Sequence, residues 1–129
     1  MQIGDTWEVS GAVTEQTTAK HIGSGGLAVF GTPCMTAMME NAAYTLLQRT
    51  LPEGRSSVGT RLDVSHVSPS PVGMRVRATA EVTGLSADGR TVDFRVAAYD
   101  DAGLIGEGRH RRVIIDTQRF MAKCSGKLQ

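Results

Sequence analysis

Four residues in the chain have side chains whose types and positions could do chemistry: Thr32, Glu40, His66 and Arg112. A carboxylate at the border of a buried layer can act as a general base. A histidine has a pKa near neutrality, which suits proton transfer. An arginine can hold an anionic group of a substrate. These positions are therefore the first candidates for a functional site.

Each of the four also has a purely structural explanation. Thr32 is a preferred N-cap type, and such a cap contributes about 1 kcal/mol to stability. Glu40 could reach solvent past its neighbours on the edge of a helix. An inward-facing His66 could be a packed, hydrogen-bonded core residue, and Arg112 could pair with a neighbouring carboxylate. The residue types alone leave both interpretations open.

The two cysteines, Cys34 and Cys124, lack the spacing of a metal site. Cys34 falls in the first turn of the predicted helix, where unpaired N–H groups can lower a thiol pKa and produce a nucleophile. More often such a cysteine is a small packed hydrophobe. We expect no structural disulfide and no metal site.

A helix must position Thr32 and Glu40. Thr32 as N-cap and Pro33 at the first helical position predict a helix from Pro33 to about Arg49, which Pro52 and Gly54 then end. Glu40 falls at the border of its apolar stripe. The stripe recurs at the spacing of one buried helix face: Met35, Met38, Met39, Ala42, Ala43, Leu46 and Leu47.

Strands must position the other candidates. From Ser57 onward the residue pattern repeats every two positions, as in a β-strand. It puts Val58, Leu62, Val64 and His66 on one face and Gly59, Arg61, Asp63 and Ser65 on the other. Further alternating runs follow at 74–83 and 92–98, and a last strand is predicted from Leu104 to about Thr117. An earlier strand is predicted over Thr6–Val13, and the glycine-rich segment 23–26 is predicted to be a loop.

Short turns between these strands require antiparallel pairing, since a parallel crossover needs a dozen or more residues. With one helix available to cover the sheet, we predict a two-layer α+β domain in which a curved antiparallel sheet wraps that helix. The domain covers residues 1–129, with a core at about 6–120 and a tail at 121–129. Its uncovered edges favour dimer formation.

The overall composition and charge argue against nucleic-acid-binding, secreted and membrane-spanning proteins. The chain has 129 residues, of which 40% are hydrophobic, and a formal net charge of +1. Nucleic acid and anionic membranes are therefore unexpected partners. There is no secretory signal and no stretch of membrane-spanning length, so the default expectation is a cytoplasmic protein.

Several short motifs resemble the hot-dog thioesterases of the fluoroacetyl-CoA thioesterase type. They are Phe30-Gly31-Thr32, Met39-Glu40-Asn41-Ala42, Val58-Gly59-Thr60, Val64-Ser65-His66 and Gly108-Arg109-His110-Arg111-Arg112. The similarity extends over roughly Val29 to Phe120 and rests on the combined spacing of motifs that are individually weak.

The resemblance implies a hot-dog fold, a homodimer or a dimer of dimers, and hydrolysis of an acyl thioester of coenzyme A. It implies Thr32, Glu40 and His66 as the catalytic residues. Gly59, Arg112 and Phe30 would lie at the substrate. Coenzyme A enters as part of the substrate, and no separate cofactor is expected.

One segment departs from the family pattern. The family has aromatic residues before the helix that close over the acyl group, whereas this chain has Gly23-Ser24-Gly25-Gly26-Leu27. A longer or different acyl group is therefore expected. The alternatives are a hot-dog enoyl-CoA hydratase or dehydratase and a non-catalytic acyl-CoA-binding domain.

Helix geometry adds a constraint. Eight residues of helix span about 12 Å, so Thr32 and Glu40 of one chain cannot both reach one thioester carbon. If both act directly, we expect them to come from different subunits.

Overall fold

The computed structural model describes every residue from Met1 to Gln129. Its strands and α-helices, in chain order, are β1 (Thr6–Ala12), α1 (Ala19–Ile22), α2 (Thr32–Gln48), β2 (Arg55–His66), β3 (Arg75–Leu85), β4 (Thr91–Asp100), β5 (Gly103–Asp116) and α3 (Thr117–Ser125). Short 3₁₀ turns lie at Glu15–Thr17 and Gly126–Leu128.

The five strands form one antiparallel sheet in the order β1-β3-β4-β5-β2. Each neighbouring pair is antiparallel, as the short turns between strands require. The strand β2 pairs with β5 alone and is therefore an edge of the sheet. It is also the strand that ends at His66, so a candidate site residue lies on an unpaired edge.

Helix α2 lies against the concave face of the sheet and provides much of the core. The alternating residues of β3 and β4 that were predicted to face inward are fully buried against it: Val76, Ala78, Ala80, Val82, Val92, Phe94, Val96 and Ala98. On the helix, Met35, Met39, Ala42, Ala43, Leu46 and Leu47 are buried, and Met38 packs at their border. The predicted α+β architecture, a sheet wrapped around one long helix, is confirmed.

The predicted start of the helix was wrong by one residue. Helix α2 begins at Thr32, with Gly31 as its N-cap and Pro33 in the first turn. The Thr32 side chain makes no capping hydrogen bond. A residue inside the first turn points its side chain away from the free N–H groups, so Thr32 is available for another contact.

The predicted faces of β2 were also wrong at its beginning. A register shift between Gly59 and Arg61 marks a β-bulge, where one extra residue interrupts the alternation. Before the bulge, Ser57 is buried and Gly59 faces the end of the Glu40 side chain. Gly59 therefore lies on the helix side of the sheet, although strict alternation put it on the opposite face from His66.

The last strand, β5, is followed directly by helix α3, which the sequence did not predict. The Asp116 carboxylate caps α3 by accepting the Arg119 N–H at 3.0 Å. Neither α3 nor the following 3₁₀ turn contains a buried residue, so residues 121–129 lie outside the core. No helix in the structure is both long and apolar enough to cross a membrane.

Candidate active site

A hydrogen bond joins two of the predicted catalytic residues. Thr32 Oγ1 lies 2.8 Å from His66 Nδ1, which links the first turn of α2 to the last residue of β2. The two residues are 34 positions apart in sequence, so only the fold brings them together. A hydroxyl hydrogen-bonded to an imidazole is the arrangement that activates an alcohol or a bound water for attack.

The environment of His66 favours a neutral ring. The side chain is half-buried, and its Nε2 is fully buried without a hydrogen-bond partner. Burial lowers the pKa of His66 below its ordinary value, because the charged ring loses hydration. A neutral imidazole can accept a proton, as a general base must.

A cavity of about 510 Å³ lies next to this pair, and Phe30, Thr32 and His66 are among its lining residues. The remaining walls come from α1, the segment between α1 and α2, the first turn of α2 and the turn after β2: Ala19, Ser24, Val29, Pro33, Val67, Ser68 and Pro69. The backbone N–H of Thr32, the first residue of α2, has no acceptor within the helix. This donor at a helix start could hold a carbonyl oxygen. We call Thr32 and His66 the hydroxyl half-site.

Arg112 is held rigidly on the concave face of β5. Its Nε donates to Ser57 Oγ at 2.8 Å and its Nη2 donates to the Ser57 carbonyl at 3.0 Å. Its Nη1 lies 3.2 Å from His110 Nε2. Because Arg112 is only 7% exposed, these partners replace most of the hydration of its guanidinium group.

The tautomer of His110 follows from its contacts. Its Nδ1 lies 2.8 Å from the Arg61 carbonyl, which can only accept, so Nδ1 holds the proton. Nε2 is then left to accept from Arg112. Burial is the main cause that lowers the pKa of His110, and the nearby Arg112 cation acts in the same direction. The neutral ring therefore serves as a fixed acceptor behind the arginine.

Glu40 reaches the same place from α2. Its Oε2 lies 3.7 Å from Arg112 Nη1, and 42% of its side chain remains exposed. A carboxylate in this position is partly paired and still accessible to a substrate, which suits its predicted position at the border of the apolar stripe. We call Glu40, Gly59 and Arg112 the carboxylate half-site.

Gly59 has no side chain, and the ends of the Glu40, His110 and Arg112 side chains lie close to the position that a Cβ would take. A Cβ at Gly59 would lie 2.9 Å from Glu40 Oε2, 3.1 Å from His110 Cε1 and 3.3 Å from Arg112 Nη1. A methyl group would therefore push the flexible end of Glu40 aside, while the backbone of β2 could stay in place.

For Gly59→Ala we expect kcat/KM to fall roughly tenfold or more and the midpoint of thermal unfolding to fall as well, because the methyl group displaces the Glu40 carboxylate and crowds the fixed side chains of His110 and Arg112. Steady-state kinetics and a thermal melt measure both. Gly11→Ala is the matched control, since a Cβ there meets nothing within 4 Å. Equal losses in both variants would contradict a role for the space at Gly59.

The structure thus brings the predicted site residues together in two groups and not in one. Eight residues of helix separate Thr32 from Glu40 by about 12 Å. Along β2, the distance from Gly59 to His66 is roughly 20 Å, allowing for the bulge. The two half-sites of one chain cannot act on the same bond.

Ser57 and His110 were missed as functional candidates. Two-residue alternation along β5 placed His110 on the same face as Arg112. The bulge in β2 kept the same kind of counting from placing Ser57 on that face.

Cys34 was a candidate nucleophile. Burial raises the pKa of its thiol, which disfavours the reactive thiolate.

Comparison with known proteins identifies the family of the chain. Residues 13–118 match the family described as FlK, fluoroacetyl-CoA-specific thioesterase. A fluoroacetyl-CoA thioesterase from Streptantibioticus cattleyicolor is 37% identical over 99 residues, which cover 77% of this chain and 70% of that protein.

Solved structures give the same result. The fluoroacetyl-CoA thioesterase FlK superposes with a TM-score of 0.91 at 31% identity, covering 98% of this chain and 97% of that one. A variant of FlK in complex with acetyl-CoA gives 0.93 at 30% identity and covers all of both chains. A Thermus thermophilus member of the thioesterase superfamily gives 0.87 at 29% identity, covering 96% and 90%. The chain belongs to the fluoroacetyl-CoA-specific thioesterase family.

Proposed function

We propose that this chain is an acyl-CoA thioesterase whose active site is shared by two copies of the chain. The observation that carries the proposal is the 2.8 Å contact between Thr32 and His66, next to a cavity and a backbone donor at the helix start. The relatives named as thioesterases support the reaction type. The complex of FlK with acetyl-CoA supports a coenzyme A thioester as substrate.

The unpaired edge of β2 supports the shared site. In a twofold dimer the same edge of each copy would pair antiparallel, so residues equally far from the axis would face each other. A twofold axis at Asp63 sets Leu62 opposite Val64 and, because Thr60 is the extra residue of the bulge, Gly59 of one copy opposite His66 of the other. The hydroxyl half-site of one copy then meets the carboxylate half-site of its partner.

The reaction follows from these positions. The Thr32 N–H polarises the thioester carbonyl, and His66 removes a proton from the Thr32 hydroxyl or from a water that this hydroxyl holds. The new carbon–oxygen bond forms as the carbon–sulfur bond breaks. The coenzyme A thiolate then takes the proton from His66. If Thr32 was the attacking group, water hydrolyses the acyl-threonine in a second, equivalent step.

Glu40 has the complementary task in this mechanism. From the partner subunit its carboxylate would orient the attacking water or stabilise the charged His66, while Arg112 fixes the carboxylate in place. The buried Arg112 is fixed by Ser57 and His110, so the carboxylate approaches from a defined direction.

The acyl group is expected to differ from fluoroacetyl. The segment before α2 has glycines and Ser24 at positions 23–26, and the next residue, Leu27, is 70% exposed. No aromatic residue of this segment covers the cavity, so a small or medium acyl chain has room. The cytoplasmic location and the absence of a metal or separate cofactor stay predictions.

Release of free thiol from a panel of acyl-CoA substrates tests the proposal. We expect thiol release with short and medium chains and no strong preference for fluoroacetyl-CoA. An enoyl-CoA substrate belongs in the panel, because a hydratase would add water to it without releasing thiol. Thermal stabilisation by acyl-CoA without any thiol release would instead indicate a binding domain.

A further inference from the structure

A second groove lies at the other end of the sheet face that holds the carboxylate half-site. It has a volume of about 410 Å³ and lies between the start of β2, the end of β5 and α3. Its lining residues are Arg55, Arg90, Ile114, Ile115, Asp116, Arg119, Phe120 and Lys123. We call this feature the cationic groove. No step of the proposed mechanism uses it.

The groove has a strong excess of positive charge. Four cations line it against one carboxylate, in a chain whose net charge is +1. None of the four cations has a carboxylate oxygen within 4.0 Å, because the ion pairs of the chain lie elsewhere. The single carboxylate, Asp116, already accepts the Arg119 N–H. Unpaired cations gathered in one concavity favour a multiply charged anion.

Strand periodicity places the groove in line with the carboxylate half-site. Arg55 precedes Gly59 by four residues on the same face of β2, and Ile114 follows Arg112 by two residues on β5. Arg90 stands two residues before the inward-facing Val92. Four residues of strand span about 13 Å, which sets the distance from Gly59 to Arg55.

The groove also has an apolar side. Phe120 is 38% exposed and Ile114 is half-buried, so an aromatic ring and an aliphatic side chain lie beside the cations. Phosphate groups together with a flat ring are the chemistry that such a surface recognises, since planar guanidinium groups bind phosphate and a phenyl face can stack on a base.

We propose that the cationic groove binds the nucleotide arm of the coenzyme A substrate, with its 3′-phosphate and diphosphate on the cations and its adenine against Phe120. The inference rests on the proposed function and extends it to a second part of the same substrate. The pantetheine arm, when extended, is longer than the 13 Å from Gly59 to Arg55, and so can bridge thioester and groove.

Charge reversal in the groove tests this assignment with three substrates: an acyl-CoA, its 3′-dephospho form and the matching acyl-pantetheine. For the double variant Arg90→Glu with Lys123→Glu we expect KM for acyl-CoA to rise about tenfold or more, with kcat nearly unchanged. The rise should shrink for the dephospho substrate and vanish for acyl-pantetheine. Arg75→Glu with Arg95→Glu is the control, because it changes the net charge equally on exposed residues outside the groove.

Three results would overturn the assignment: an unchanged KM for acyl-CoA, an equal rise for acyl-pantetheine, or an equal rise in the control pair. Direct binding of coenzyme A and of adenosine 3′,5′-bisphosphate separates this inference from the proposed function. A wild-type protein that hydrolyses no thioester but binds both ligands, with weaker binding in the groove variant, would contradict only the thioesterase proposal.

Discussion

Replacing His66 with alanine is expected to lower kcat by about 10²- to 10⁴-fold, the range lost with a general base. The imidazole is the one group that contacts the Thr32 hydroxyl, at 2.8 Å, and its burial keeps it unprotonated and able to accept a proton. Removal of the ring takes away the hydrogen bond to Thr32 and the contact with the Ser68 backbone, both at the end of β2. Thiol-release kinetics measure the loss, and circular dichroism checks the fold.

His21→Ala is the matched control, since His21 is exposed on α1 and its side chain takes no part in either half-site. A second measurement uses pH. Because burial lowers the pKa of His66, kcat/KM of the wild type should persist below pH 6.5 and fall only as pH drops through that lowered value. A His66→Ala variant within twofold of wild-type activity would refute the role of the imidazole.

Much of the fold was predictable from the sequence, because its signals are local. The Pro33 start and the methionine-rich stripe fixed α2 to within one residue, and two-residue alternation identified the buried faces of β3 and β4. Helix α3 was missed because it has only nine residues, all of them exposed, and its apolar stripe is limited to Phe120, Met121 and Cys124. The other local signal was Asp116, a good N-cap type.

The site was predictable only in part. The resemblance identified Thr32, Glu40 and His66, and helix geometry alone showed that two of them were too far apart. The bulge after Gly59 could not be found by counting, since one extra residue exchanges the two faces of a strand without any fixed signature. Ser57 lies before this bulge, so counting did not place it on the face of Gly59 and Arg112. Its contact with Arg112 also joins residues 55 positions apart, which no local pattern predicts.

The central claim is that each active site takes Thr32 and His66 from one copy and Glu40 from the other. Thr32→Ala and Glu40→Gln should each be almost inactive alone. Mixed one to one and allowed to exchange, they form heterodimers in which one site has both substitutions and the other has none. Random exchange should therefore restore about a quarter of the wild-type activity.

Differently tagged variants, co-purified after mixing, prove that exchange has occurred and allow the heterodimer to be assayed by itself. The heterodimer should then have about half of the wild-type activity per dimer, because one of its two equivalent sites is intact. An inactive heterodimer, recovered folded and in proven one-to-one composition, would contradict the shared site.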